Sequence, residues 1–99
     1  MNIINQTEIF ENWLERLKDS KGKTVITARI RRAAFGNFGD HKFLRDEIYE
    51  MRITVGAGYR VYYAKDGNIT YLLLCGGDKS TQKKDIDKAI KLWKEIKNG

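Results

Sequence analysis

The segment ITYLLLC, residues 69–75, constrains this fold more than any other stretch. It is apolar on both of its strand faces, so it needs cover on both sides and belongs inside a sheet. Two alternating runs precede it. In IYEMRIT, residues 48–54, Tyr49, Met51 and Ile53 alternate with Glu50, Arg52 and Thr54. In YRVYYA, residues 59–64, Tyr59, Val61 and Tyr63 alternate with Arg60 and Tyr62. Period two predicts strands with the apolar set on the core and the charged set on the opposite face. The glycine-containing VGAG turn joins the first pair. Lys65-Asp66-Gly67-Asn68 joins the second pair, and Asp-Gly predicts a type I′ turn with positive φ at both central positions.

Helical periodicity occupies both ends. Ile9, Phe10, Trp13, Leu14 and Leu17 predict a first helix starting near residues 5–7. Glu8 and Glu11 fall in its first turn, where carboxylates suit the positive helix end. Asp19-Ser20-Lys21-Gly22 breaks the pattern. A second helix is expected over about residues 23–35, with Ile26, Ile30, Ala33 and Ala34 on its apolar side. Arg29, Arg31 and Arg32 lie mostly off that side and read as a solvated face. Gly36-Asn37 ends it. Ile86, Ala89, Ile90, Trp93 and Ile96 mark a last helix from near Ser80 or Thr81. Short extra strands are expected at the N-terminus and around residues 42–44. The fold class is therefore α+β: a small antiparallel β-sheet packed with two N-terminal helices and a C-terminal helix, in one domain over residues 1–99.

The chain carries 19 Lys and Arg against 13 Asp and Glu, a net charge of +6, which favours a polyanionic partner such as nucleic acid or an acidic protein. Cys75 is the only cysteine, so no internal disulfide can form, as suits a reducing cytoplasm. MNIINQTEIF lacks the charged and apolar regions of a signal peptide. No apolar run approaches the roughly 20 residues of a membrane span.

Metal chemistry has little support, since one His and one Cys give no zinc spacing. GAGYR lies between strands rather than opening a helix, so it is neither a dinucleotide nor a P-loop fingerprint. What remains is cationic. Arg52 and Arg60 sit on adjacent strands in the set opposing the core, within reach of one anion, and guanidinium groups match phosphate oxygens. The plain alternative is exposed arginines paired with a neighbour such as Glu50. Tyr62 shares Arg60's strand face and is a candidate to stack on a base. A strand ending in Gly76-Gly77 and feeding a helix start leaves free backbone N–H groups for an anion. Lys79, Ser80 and Gln82 add a cation, a hydroxyl and an amide there, although capping by Asp78 or Ser80 explains the small polar residues alone. Lys42 is a further candidate RNA contact.

These residues carry a resemblance. GNFGD (residues 36–40), EMRI (50–53), GAGYRVYY (56–63) and LLCGGDKSTQKKDI (73–86) resemble the phage-derived and bacterial addiction module killer protein family, within the RelE/ParE/HigB toxin superfamily. The resemblance spans residues 13–92. It implies a small antiparallel sheet flanked by helices and a cytoplasmic type II toxin held by a small helix-turn-helix antitoxin. RelE-like and HigB-like members cleave mRNA in the ribosomal A site without metal or other cofactor. The RNA 2′-hydroxyl attacks the adjacent phosphate, leaving a 2′,3′-cyclic phosphate. By resemblance, Arg60 matches the arginine of the YR strand that stabilises the phosphate, Arg52 a basic position on the preceding strand, and Lys79 the basic residue after the last strand. Two departures stand out: Glu50 occupies a position that is often basic, and KSTQKKDI lacks the tyrosine or histidine some members use. Glu50 and His41 are the candidate general bases. ParE-like gyrase poisons share the fold, and an inactivated toxin that only binds its antitoxin is the third reading.

Overall fold

A computed structural model describes all 99 residues. Five strands, β1 (Ile3–Gln6), β2 (His41–Arg45), β3 (Ile48–Ile53), β4 (Tyr59–Lys65) and β5 (Thr70–Asp78), form one sheet in the order β1-β5-β4-β3-β2. The helices are α1 (Glu8–Arg16), α2 (Ser20–Ala34) and α3 (Gln82–Asn98), the last preceded by a 3₁₀ turn, Lys79–Thr81. The α+β class and the three-helix layout stand. The sheet is mixed rather than wholly antiparallel, because β1 pairs with β5 in parallel, Ile3 opposite Thr70. Two helices and three strands separate those two strands in the chain, so no hairpin sets their relative direction.

The three central strands of the sheet are buried on both faces over much of their length. Helices α1 and α2 cover one, over a core of Phe10, Ile26, Ala33, Met51, Ile53, Tyr59, Val61, Tyr63 and Leu73. Helix α3 covers part of the other, over Ile48, Tyr62, Ala64, Leu74, Cys75, Ala89, Ile90 and Trp93. Tyr62 pairs with Cys75 but Tyr63 pairs with Leu73, so Leu74 is an extra residue in β5. A bulge of this kind lets Leu74 and Cys75 both enter the α3 core.

Two local expectations are corrected. Residues 19–22 do not separate the helices; they start α2. Asp19 is the N-cap, accepting from the Gly22 N–H at 3.0 Å, and Gly22 belongs in that first turn because a Cβ there would meet the Tyr59 ring at 2.6 Å. At the β4–β5 connection neither Asp66 nor Gly67 has positive φ. That connection is four residues long, which lifts the twist requirement of a two-residue turn. The two-residue turn with positive φ joins β2 to β3 instead, at Asp46 (φ 50°) and Glu47 (φ 70°). The backbone cost there is offset by the Glu47 carboxylate, which accepts from Trp93 Nε1 at 3.3 Å and Lys97 Nζ at 2.6 Å.

Asp19 also accepts the Tyr59 hydroxyl at 2.8 Å, tying α2 to β4. The Gly22 amide first, and then the Tyr59 hydroxyl, hold its carboxyl below the usual aspartate value. A depressed folded value contributes stability above the unfolded value, about 4, and loses it as pH falls through the folded one. Asp19→Asn is therefore expected to lower the urea midpoint at neutral pH and to begin converging on the parent only as pH falls below about 4. A pH series of midpoints checks this; a constant gap down to the lowest pH would contradict it.

Candidate phosphate-binding cleft

The face under α3 changes character along β3 and β4. Cross-strand partners share a face, and three successive rows are Ile48 with Ala64, Glu50 with Tyr62, and Arg52 with Arg60. The first row is apolar and buried. The second is polar and also buried, with Glu50 and Tyr62 both at 0% exposure. The third emerges beyond the end of α3 into a cleft of about 240 Å³, lined by Arg52, Ile53, Thr54, Gly56, Ala57, Gly58, Tyr59, Arg60 and Lys79. Arg52, Arg60 and Lys79 thus come together from β3, β4 and the 3₁₀ turn, and no carboxylate lines the cleft. Gly58, at φ 79°, allows the β3–β4 turn to close against Lys79, whose Cβ would lie 3.5 Å from a Cβ on that glycine.

Opposed like charges on neighbouring strands repel, so this arrangement needs anions. Two carboxylates supply part of them. Asp40 Oδ1 lies 3.0 Å from Arg52 Nη2, and Glu50 Oε2 lies 3.3 Å from Arg60 Nη1. Lys79 has no ion-pair partner. Arg52 Nε is buried without a hydrogen-bond partner. Lys79 therefore keeps its donors for an oxyanion in the cleft.

The other expected site residues lie elsewhere. Glu50 is beneath the sheet surface, between Arg60 and Gln82, whose Nε2 donates to its Oε1 at 2.7 Å. Gln82 therefore turns inward rather than toward a ligand. Tyr62 shares Arg60's face, as expected, but α3 covers it there; its hydroxyl is buried without a partner, and burial pushes its titration upward. It offers no surface for stacking. His41 pairs with Met51, which puts it on the opposite face, where its ring lies 5.8 Å from the Phe38 ring. Lys42, opposite Glu50, is exposed on the outer strand β2 and outside the cleft. Ser80 donates its amide and hydroxyl to Asp78 and lines a separate shallow basic surface with Lys83 and Lys84.

The glycine pair is also reassigned. Strand β5 runs through both glycines to Asp78, pairing Gly76 with Val61 and Gly77 with Arg60. A Cβ on Gly76 would lie 2.5 Å from two Trp13 ring carbons, and one on Gly77 would collide with the Asp85 carboxylate. Asp78 caps the 3₁₀ turn, with Thr81 completing a capping box. The glycines serve packing, and a side chain already fills the turn's N-terminus.

Sequence reasoning missed the frame that holds Arg52. Arg29 is not part of a solvated face: its Nη1 donates to the Arg52 carbonyl at 2.7 Å, and its Nη2 to the carbonyls of Phe38 and Asp40 at 2.9 and 3.1 Å. Gly39, at φ 65°, leaves room for that guanidinium. Phe38 stacks on Tyr63 at 5.1 Å and meets Tyr71 at 4.8 Å. The GNFGD segment is thus a clamp that delivers Asp40 to Arg52; two closely spaced glycines after a basic helix were its signal. Arg29→Met is expected to cost about 1.5–3 kcal/mol, the range for charged hydrogen bonds, and to weaken the site. Urea unfolding and backbone amide shifts at residues 38–40 would show it; unchanged shifts there would contradict the clamp.

A larger groove of about 420 Å³ lies between α1, β5 and α3; it also holds two cations, Arg16 and Lys88, but half of its lining is apolar, including Ile9, Trp13 and Leu17. Three or more His, Cys, Asp or Glu side chains nowhere gather as metal ligands would. No helix is long and apolar enough to cross a membrane.

Comparison with known proteins places this chain in a family. Residues 12–94 match the phage-derived Gp49-like proteins. The chain belongs to that family. An uncharacterized protein of Haemophilus influenzae is 50% identical over 93 residues, covering 94% of each chain. The region shared with the Gp49-like family contains every residue of the cleft and the whole Arg29 clamp, and leaves out β1 and the first turn of α1.

Proposed function

We propose that this Gp49-like protein is a toxin of a type II toxin–antitoxin system, related to the RelE/ParE/HigB superfamily, and that it cleaves mRNA on the translating ribosome. One observation carries the reading: two opposed arginines and an unpaired lysine line one cleft free of carboxylates. Such a cleft suits a phosphodiester gaining negative charge. The RNA 2′-oxygen attacks the adjacent phosphorus and the bond to the 5′-oxygen breaks. The products are a 2′,3′-cyclic phosphate and a 5′-hydroxyl; one proton leaves the 2′-oxygen and one arrives on the 5′-oxygen. The contribution of Arg52, Arg60 and Lys79 is electrostatic, with Arg60 and Arg52 on the non-bridging oxygens. No cofactor enters the scheme. The protein acts in the cytoplasm, and a small helix-turn-helix antitoxin restrains it there.

Expression without the antitoxin, followed by mapping of transcript ends, tests this reading. The expected result is growth arrest with new 5′-hydroxyl ends inside translated regions. Arrest with intact transcripts and DNA-damage signalling would favour a gyrase poison and overturn the nuclease.

A further inference from the structure

We propose that Glu50 and Gln82 form a relay that positions Arg60, so that the cleft is competent only while the first turn of α3 is docked on the sheet. The idea rests on the reading above, in that Arg60 is the group that holds the phosphodiester. Its grounds are the two ends of one buried carboxylate. Glu50 is at 0% exposure, where an acid is rarely found unless it is paired. One oxygen faces the sheet, 3.3 Å from Arg60 Nη1. The other faces the helix, accepting Gln82 Nε2 at 2.7 Å. Gln82 is the first residue of α3, directly after the turn that carries Lys79. A single displacement of that turn would therefore disturb two of the three cations together. Glu50 fills no proton-transfer role in this arrangement, because its carboxylate is walled off from the cleft. It is a positioning residue: its Oε2 makes no hydrogen bond and holds the guanidinium of Arg60, diagonal to it on the neighbouring strand, by charge.

The alternative is that Glu50 and Gln82 merely satisfy each other within the core. Two variants of the full chain distinguish these roles. Gln82→Leu removes the helix end of the relay, and Glu50→Gln removes the charge but keeps the shape. Three measurements apply to both: melting temperature, the ¹H–¹⁵N guanidinium signals of Arg60, and kcat and KM for cleavage of a translated transcript. For the parent protein the Arg60 Nη signals are expected to be resolved by restricted rotation. In both variants they should coalesce. Cleavage should fall about 10²-fold in kcat, the usual effect of a misplaced group, with KM little changed. Gln82→Leu, at a partly exposed position, should melt within a few degrees of the parent (about ±3 °C). Wild-type kcat in Gln82→Leu, or lost kcat with unaltered Arg60 signals, would overturn the relay. If Gln82→Leu does not fold, Glu50→Gln decides on the same signals. If the parent cleaves nothing, the nuclease reading fails while the Arg60 signals still report the relay.

Discussion

Arg60→Ala is expected to abolish cleavage and to destabilise the domain in the same step. The arginine side chain is only 14% exposed and its partner Glu50 is at 0%. Breaking a buried ion pair from one side leaves the other charge unpaired, at a cost of about 3–5 kcal/mol. Domains of this size have roughly 5–15 kcal/mol in total, so the variant loses a large share of its stability. Loss of toxicity in Arg60→Ala would then say little about chemistry. The double variant Glu50→Gln/Arg60→Ala separates the two effects. It should recover most of the urea midpoint and still lack cleavage, because the phosphate contact is gone. Arg60→Ala with parental stability would contradict the burial argument; cleavage by the refolded double variant would contradict the site.

The second large effect is expected at Gly76. A methyl group there would sit 2.5 Å from two Trp13 ring carbons, and Trp13 is itself held at 5.7 Å from the buried Phe10 ring and 6.3 Å from Tyr59. The indole borders the groove between α1 and α3, but retreating into it would give up these two aromatic contacts. Gly76→Ala should therefore cost about 1–3 kcal/mol, the range for overpacking. Trp13→Leu should relieve the overlap, making the two changes less than additive. Thermal unfolding of the two single variants and the double variant measures this. A fully stable Gly76→Ala would mean that Trp13 is not seated on β5. A glycine kept to let a phosphate approach would instead lower cleavage without lowering stability.

Much of this architecture was legible in the chain, for identifiable reasons. Period-two runs at residues 48–54 and 59–64 set the faces of β3 and β4. The stripe from Ile86 to Ile96 set α3, and the alternating set correctly aligned Arg52 with Arg60. What the pattern could not carry was the extent of α3. Glu50, Arg52, Arg60 and Tyr62 look equivalent as members of one alternating set, yet the helix covers Glu50 and Tyr62 and stops short of the arginines. A single strand pattern contains no signal for where a distant helix ends. The same holds for Gly76-Gly77, whose neighbours Trp13 and Asp85 come from other elements. Composition likewise hid Arg29, whose three carbonyl acceptors arise only when the chain returns at residues 38–40 and at Arg52. Charge was readable; its division into clamp, relay and cleft needed the tertiary structure.

Arg52 offers the most direct test of the central claim. Its ion pair with Asp40 is solvent-exposed, so Arg52→Ala costs little stability, about 0–1 kcal/mol, unlike Arg60→Ala. Purified parent and Arg52→Ala proteins would be added to a translating extract, and the rate of transcript cleavage compared at matched concentration. The account predicts a loss of about 10²–10³-fold, the value of one aligned contact to a developing oxyanion, with melting temperatures nearly equal. A folded Arg52→Ala protein that cleaves at the parental rate would contradict it.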